Sequence, residues 1–443
     1  MERNGILRDF VRYVSLNILG QAAYACYTMA DTFLVSASLG ADGLTALNLA
    51  FPVFCLISGT GLMLGIGGGT RYAILASRGE REAADRSFTG AVCLAAACAL
   101  VCVLLGAFCS EPIARLLGSD DAILPLTNVY LRTLLLFAPA FLANHLLQSF
   151  VRNDGAPALA MAALIAASVS DVALACLFIF RFGMGILGAV LAAGLAPVVG
   201  VAVMSPYLIR GKNRFHLTRQ LPRAAEVYAI LATGVPSFLT EASSGVVMFV
   251  FNFLLLRLAG NVAVAAFSVI TVISLAVIAV YTGLSQGIQP ILSRSCGAGE
   301  DGEVRAILRY ALVTVLLLSA VICSVLFFGT EQVVAVFNSE GNEALRAIAV
   351  PGMRIYFTAC PFIGFNIVLA TYFLSTERPA PAQAVALSRG LLVLIPMALL
   401  LARTLDVTGV WCSYPATECV VALLALALLR RFGGTPAQRP AGC

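Results

Sequence analysis

Three carboxylates, Asp31, Asp171 and Glu241, stand in stretches otherwise almost free of charge. An ionised side chain at the centre of a membrane helix costs roughly 2.5–3.5 kcal/mol on insertion scales, so it needs a partner, a cavity or a task. Burial lets a carboxylate keep its proton towards neutral pH and give it up when a cation arrives. With nearby hydroxyls and carbonyls, the same group offers oxygen ligands to Na+. All three are therefore candidates for holding a coupling ion, H+ or Na+, and for attracting a cationic solute; the competing reading is a polar tie between helices. Tyr24, Tyr27, Asn48, Asn144, Asn252, Tyr281, Gln286, Gln289 and Asn366 add polar groups to the same apolar stretches. Met29, Met63 and Met248 add adaptable surface, and such a lining suits flat organic cations. Singly, each of these residues reads more often as helix packing than as a ligand contact.

Other chemistry finds little support. His145 and His216 have no second ligand nearby in sequence, there is no HExxH pattern, and Cys55, Cys93, Cys98, Cys102, Cys176, Cys323, Cys360 and Cys419 lie in apolar runs where a thiol is a small packing group. Gly65, Gly67, Gly68 and Gly69 lack the lysine and preceding strand of a phosphate loop and point to close helix packing or a bend. Neither an enzyme nor a nucleotide-driven pump is indicated, and no cofactor is expected beyond the coupling ion.

The elements that must position the three acids are membrane helices. The chain has 443 residues, is 60% hydrophobic and 12% charged, and has a mean hydropathy of +0.94. Runs such as 44–70, 87–110, 182–209, 258–293 and 310–330 carry almost no charge, and each reaches the ~20 residues a helix needs to cross the hydrocarbon. The absence of period-two alternation argues against a β-barrel, so helices must satisfy the backbone internally. Spans are expected to begin near residues 11, 44, 87, 128, 157, 186, 227, 262, 307, 346, 383 and 409. The fold class is an all-α polytopic membrane protein of about 12 transmembrane helices. Asp31 then lies nine residues before Gly40, about 13 Å from the outer turn. Glu241 falls near mid-membrane, and Asp171 lies 14 residues after Pro157 and 10 before Arg181.

If the N-terminus is cytoplasmic, only Arg115, Arg132, Arg181, Arg257, Arg346, Arg354 and Arg403 fall on the outer side. That leaves 28 − 7 = 21 basic residues inside, Arg152 and Arg389 among them. The positive-inside rule thus puts both termini in the cytoplasm of a plasma (inner) membrane protein, with no cleaved signal indicated. A shift of 220 residues aligns Phe33 with Phe253, Gly40 with Gly260, Gly67 with Gly287, Gly79 with Gly299 and Glu111 with Glu331. After a two-residue insertion, Arg132 meets Arg354, Asn144 meets Asn366 and Pro157 meets Pro379. Each half holds six spans, so the repeat is parallel, with its axis along the membrane normal. The expected division is a six-helix lobe over 1–209, a basic cytoplasmic linker over 210–226, a second six-helix lobe over 227–430 and a cytoplasmic tail over 431–443. A cleft between such lobes, opened alternately to each side, is where a substrate is expected.

The segment YTMADTFLVSASLGAD within 27–80, the segment TGVPSFLTEASSG (233–245), the segment GLSQGIQPILSRSCGAGE (283–300) and RNDGAP (152–157) resemble the corresponding stretches of multidrug and toxic compound extrusion (MATE) transporters. The resemblance covers nearly the whole chain. It implies a two-lobed exporter of organic cations or other toxic compounds, working as an antiporter with H+ or Na+. Its partners would be small cationic amphiphiles and membrane lipids, with no nucleic acid, and the chain is expected to act as a monomer. In one respect the chain departs from the family. Where relatives carry an Asn followed one turn later by an Asp in the fifth span, this chain has Asp171 and Ala175, which implies a rearranged ion site. The nearest alternative is a flippase for lipid-linked oligosaccharides. Its anionic cargo would need basic residues in the cavity, whereas the deep charges read from the sequence are acidic.

Overall fold

Long runs of Ala, Leu and Val without charge must close their hydrogen bonds within the segment, and the chain does so with helices alone: no strand occurs among the described residues. The structure, a computed structural model, describes residues 3–119, 121, 123–220, 222–337 and 342–432, with the side chains of 3–4, 30–33, 35–42, 44–45 and 261 excepted. Residues 433–443 of the expected tail therefore lie outside the described residues. The first half comprises α1 (Arg3–Ser77), α2 (Arg81–Phe108), α3 (Ser110–Leu116), α4 (Leu124–Leu136), α5 (Ala138–Asn153), α6 (Pro157–Cys176) and α7 (Gly185–Ile209). The second comprises α8 (Ala224–Gly297), α9 (Asp301–Phe328), α10 (Thr330–Phe337), α11 (Glu343–Tyr356), α12 (Cys360–Ser375), α13 (Pro379–Leu387) and α14 (Leu394–Phe432). π-helical turns follow α6 (Leu177–Arg181) and α13 (Ser388–Leu392).

Nine described helices are long and apolar enough to cross a membrane, or ten when α4 and α5, bent by 46° at their junction, are taken as one broken span. Pro139, at the start of α5, cannot donate the bond that would continue α4. The 54-residue stretch Pro379–Phe432 turns back at Asp406 (φ 48°) and so crosses twice. The arm of α1 before Ala46 supplies a further crossing, since both its arms pack on the end of α5: Asn17 bonds Arg152, and Gly69 abuts Ser149. Ten, one and one make twelve traverses among the described residues, six in each half. The 74 residues of α8 would otherwise run ~110 Å, several times the hydrocarbon thickness. Gly260, with φ 69° and ψ −159°, makes the reversal in a region that glycine alone enters cheaply.

The two halves form two lobes related by the expected repeat. Gly79 and Gly299, 220 apart, both take positive φ (82° and 75°) in the turns that end α1 and α8. A Cβ on Gly287 would lie 2.7 Å from Val14, and one on Gly67 would meet Gly234 at 3.1 Å. The two contacts are repeat images, since 67 + 220 = 287 and 14 + 220 = 234. Gly297 abuts Ser77, its own repeat equivalent, which requires that pair to lie at the pseudo-twofold axis. The segment 210–223 joins the lobes and is pinned to the first. Phe215 is fully buried against Tyr72, Phe88 and Phe150, and Asp154 accepts hydrogen bonds from the Tyr72 and Tyr207 hydroxyls and the Arg214 amide.

Candidate substrate and ion site between the lobes

The lobes meet through helices α1 and α8, and Glu241 lies on that seam. It is half-buried on α8, beside Gly59 of α1, where a Cβ would come within 3.3 Å of the Glu241 Cβ. Glycine at 59 is what lets the helix of Glu241 approach so closely. Tyr24 and Cys55 of the first lobe fall within electrostatic reach of Glu241, and Tyr24 also senses Asp171. Glu241 has no hydrogen bond or ion pair among the described residues. Tyr24 and Tyr27 stand edge to face, with ring centroids 5.0 Å apart. A second-lobe carboxylate, a first-lobe carboxylate and an aromatic pair are thus brought to one region from α1, α6 and α8. Asp171 is 1% exposed on α6, and Ala175, one turn on, is fully buried. Asp31 belongs to α1, but its side chain lies outside the described residues.

The remaining candidates divide. Asn252, Met29 and Met63 are half-buried, whereas Asn48 and Met248 are exposed. Asn144 is buried against Gly200 of α7 and accepts a bond from Gln148. Tyr281 is fully buried, with its hydroxyl 2.6 Å from Ser319. Gln286 accepts from Arg152 (2.6 Å) and Gln21 (3.0 Å), and Gln289 donates to Thr70 (2.8 Å) and Asn153 (3.1 Å). The two glutamines join opposite lobes, so they sit at the interface but are occupied by protein. The same end of the interface carries the ion pairs Arg78–Glu377 (2.5 Å), Arg294–Asp9 (3.0 Å) and Arg86–Glu226 (3.0 Å). It is the end that bears both described chain ends.

Two arginines counted as cytoplasmic from the sequence turn inward instead, Arg152 buried and Arg389 half-buried. Arg152 is 5% exposed, turned inward to Asn17 and Gln286. Arg389 lies in the π-helical turn after α13, where it grips Glu418 of α14 through three bonds of 2.8–3.0 Å. Both sit near span ends in sequence, where a charge reads as solvated, and a buried polar partner alone draws them in. Asn366 completes the cluster, donating to the Glu418 carboxylate at 2.7 Å and to its backbone carbonyl at 2.9 Å. Glu418 is 1% exposed. It was missed although it shows the signal that singled out the other acids, a lone carboxylate in an apolar run. Next in sequence to Arg389, Gly390 abuts Ser243, two residues beyond Glu241. The ion pair therefore anchors a turn that packs on the Glu241 segment of α8.

The MatE family model matches residues 17–177 and 236–400. The multidrug export protein MepA of Staphylococcus saprophyticus subsp. saprophyticus is 23% identical over 432 residues, covering 97% of this chain and 94% of that protein. MepA of Staphylococcus aureus (strain MRSA252) is 22% identical over the same shares. Among solved structures, a MOP superfamily transporter from Pyrococcus furiosus superposes with a TM-score of 0.89 at 21% identity, covering 96% of this chain and 95% of that one. An outward-facing multidrug resistance MATE family transporter gives 0.87 at 21% identity, covering 97% and 98%.

Proposed function

Because the chain belongs to the MatE family of multi-pass membrane transporters, we propose that it is a secondary multidrug efflux antiporter. It would export small, mostly cationic amphiphiles in exchange for H+ or Na+ by alternating access between its two lobes. The observation that carries this reading is Glu241, an unpartnered second-lobe carboxylate beside Gly59 and Tyr24 of the first lobe. A negative charge there attracts an organic cation, Tyr24 and Tyr27 offer ring faces and edges, and a group shared by the seam changes its surroundings when the lobes part. Asp31, Asp171 and Glu241 are proposed to take the coupling ion. Tyr24, Tyr27 and Asn252 would line the solute path. Gln286, Gln289, Asn144, Asn366 and Tyr281 serve as ties. The export function of the MepA relatives supports the reading.

The glutamine layer and the three interlobe ion pairs would form the closed gate of an outward-facing state, on the side the positive-inside rule assigns to the cytoplasm. The 210–226 linker would join the lobes on the cytoplasmic side, and the chain would act alone in the plasma membrane. An anionic lipid-linked cargo would need deep basic groups that are free, yet Arg389 is paired with Glu418 and Arg152 is turned through Nη1 to Asn17 and Gln286, leaving its buried Nε without a partner among the described residues. Efflux of a cationic dye from proteoliposomes under separately imposed pH and Na+ gradients tests the proposal. One gradient is expected to accelerate efflux, and equal rates with and without either would overturn it.

A further inference from the structure

On the flank of the second lobe, away from the seam, a cavity of about 270 Å³ opens between α9 and the end of α11. Its walls include Leu326, Phe327, Phe328, Met353, Arg354 and Phe357. The repeat shows how the two lobes differ at this place. In the first lobe Gly106 lets α2 lie directly on α4, since a Cβ there would come within 2.7 Å of Leu135 and 3.2 Å of the Arg132 carbonyl. The equivalents are Leu326 for Gly106 (106 + 220), Arg354 for Arg132 (132 + 222) and Phe357 for Leu135 (135 + 222). The leucine side chain fills the space of that close contact and props α9 away from α11.

The cavity has one charged group with an unused donor. Arg354 Nε is buried without a hydrogen-bond partner, whereas its Nη2 lies 3.7 Å from Glu331, which is shared with Arg346 at 3.3 Å. The guanidinium stacks 5.3 Å from the Phe327 ring centroid, a residue that replaces Ala107 of the first lobe. The Arg354 side chain is nonetheless 39% exposed and none of its N–H groups makes a hydrogen bond among the described residues, so the open part of its guanidinium can meet a phosphate oxygen. Phe327 and Phe328 are 53% and 78% exposed at the end of α9, so the mouth faces the bilayer at the depth where α9 gives way to the short α10.

We propose that this groove holds one anionic phospholipid, its phosphate on Arg354 and the first part of an acyl chain along Phe327 and Phe328. The guanidinium supplies the charge match, and the aromatic walls take the chain that the mouth leaves open to lipid.

Delipidated full-length protein in detergent, titrated with phosphatidylglycerol, phosphatidylcholine or inorganic phosphate and read by native mass spectrometry, tests the site. The wild type is expected to hold one phosphatidylglycerol at least about tenfold more tightly than phosphatidylcholine. Arg354→Gln removes that preference, and Ser324→Phe, from an exposed position lining the mouth, blocks the bound lipid without touching the charge. Equal phosphatidylglycerol binding by the wild type and both variants would overturn the proposal. So would equal retention of the two lipids by the wild type, or inorganic phosphate binding as tightly as phosphatidylglycerol.

Discussion

Glu241 and Glu418 are both acids in apolar helices, yet their surroundings give them opposite roles. Glu241 has no described partner, so Glu241→Gln keeps its shape and removes only charge. Affinity for a monovalent cationic dye is expected to fall about ten- to a hundredfold, with a neutral analogue and the melting temperature little changed. Calorimetric binding of the matched pair to purified protein checks this; equal losses for both ligands with a lowered melting temperature would mark Glu241 as a structural tie. Glu418 is held by Arg389 and Asn366, so Glu418→Ala leaves the half-buried Arg389 guanidinium unpaired and is expected to cost about 3 kcal/mol. Replacing both charges, as Arg389→Met with Glu418→Leu, is expected to recover most of that loss in thermal unfolding. Glu241 was legible in sequence because a charge stands out in an apolar run, and Glu418 shows the same signal but was passed over. Their partners were not, because Arg389 and Glu418 lie 29 residues apart and only the packing of the π-helical turn on α14 joins them. Glu377 shows the same limit. It takes φ 58° where its repeat equivalent is Gly155 at 96°, a strained position whose side chain nonetheless pairs with Arg78 across the lobes.

At the scale of helices, glycine sets how closely the lobes approach. The Gly65–Gly69 stretch read as close packing in the sequence, and each of its glycines meets a different neighbour: Gly65 the His145 carbonyl, Gly67 Ile230 and Gly234, Gly68 Phe150, Gly69 Ser149. Gly67→Leu drives a side chain into the α8 backbone and is expected to open the seam. Backbone amide exchange over 227–240 should accelerate by about tenfold or more, and unchanged exchange there would show that the contact does not hold the lobes together. Hydropathy located most spans, since a bilayer demands length and apolarity of each. It did not show the bend between α4 and α5 or the π-helical turns, because these arise from how neighbouring helices pack.

For the whole molecule, the repeat was readable from glycine, proline and arginine coincidences, and the fold places repeat equivalents Ser77 and Gly297 in contact. Where the halves differ, chemistry is concentrated: the Arg389–Glu418 pair within the second lobe has no ion-pair counterpart on α6 or α7 among the described residues. Lobe contacts were not readable, since no local pattern pairs Arg78 with Glu377. A disulfide between Arg78→Cys and Glu377→Cys is expected to abolish dye efflux and a thiol reductant to restore it; full efflux by the oxidised protein would place the gate elsewhere. The central claim is obligate exchange between a cationic solute and an ion across the seam that carries Glu241. Its most direct test is to run the exchange backwards in proteoliposomes, imposing only a dye gradient and recording internal pH and Na+. Dye moving down its gradient is expected to drive H+ or Na+ uphill in the opposite direction in the wild type, and to do so far more weakly in Glu241→Gln. Dye flux that moves neither ion would contradict the account.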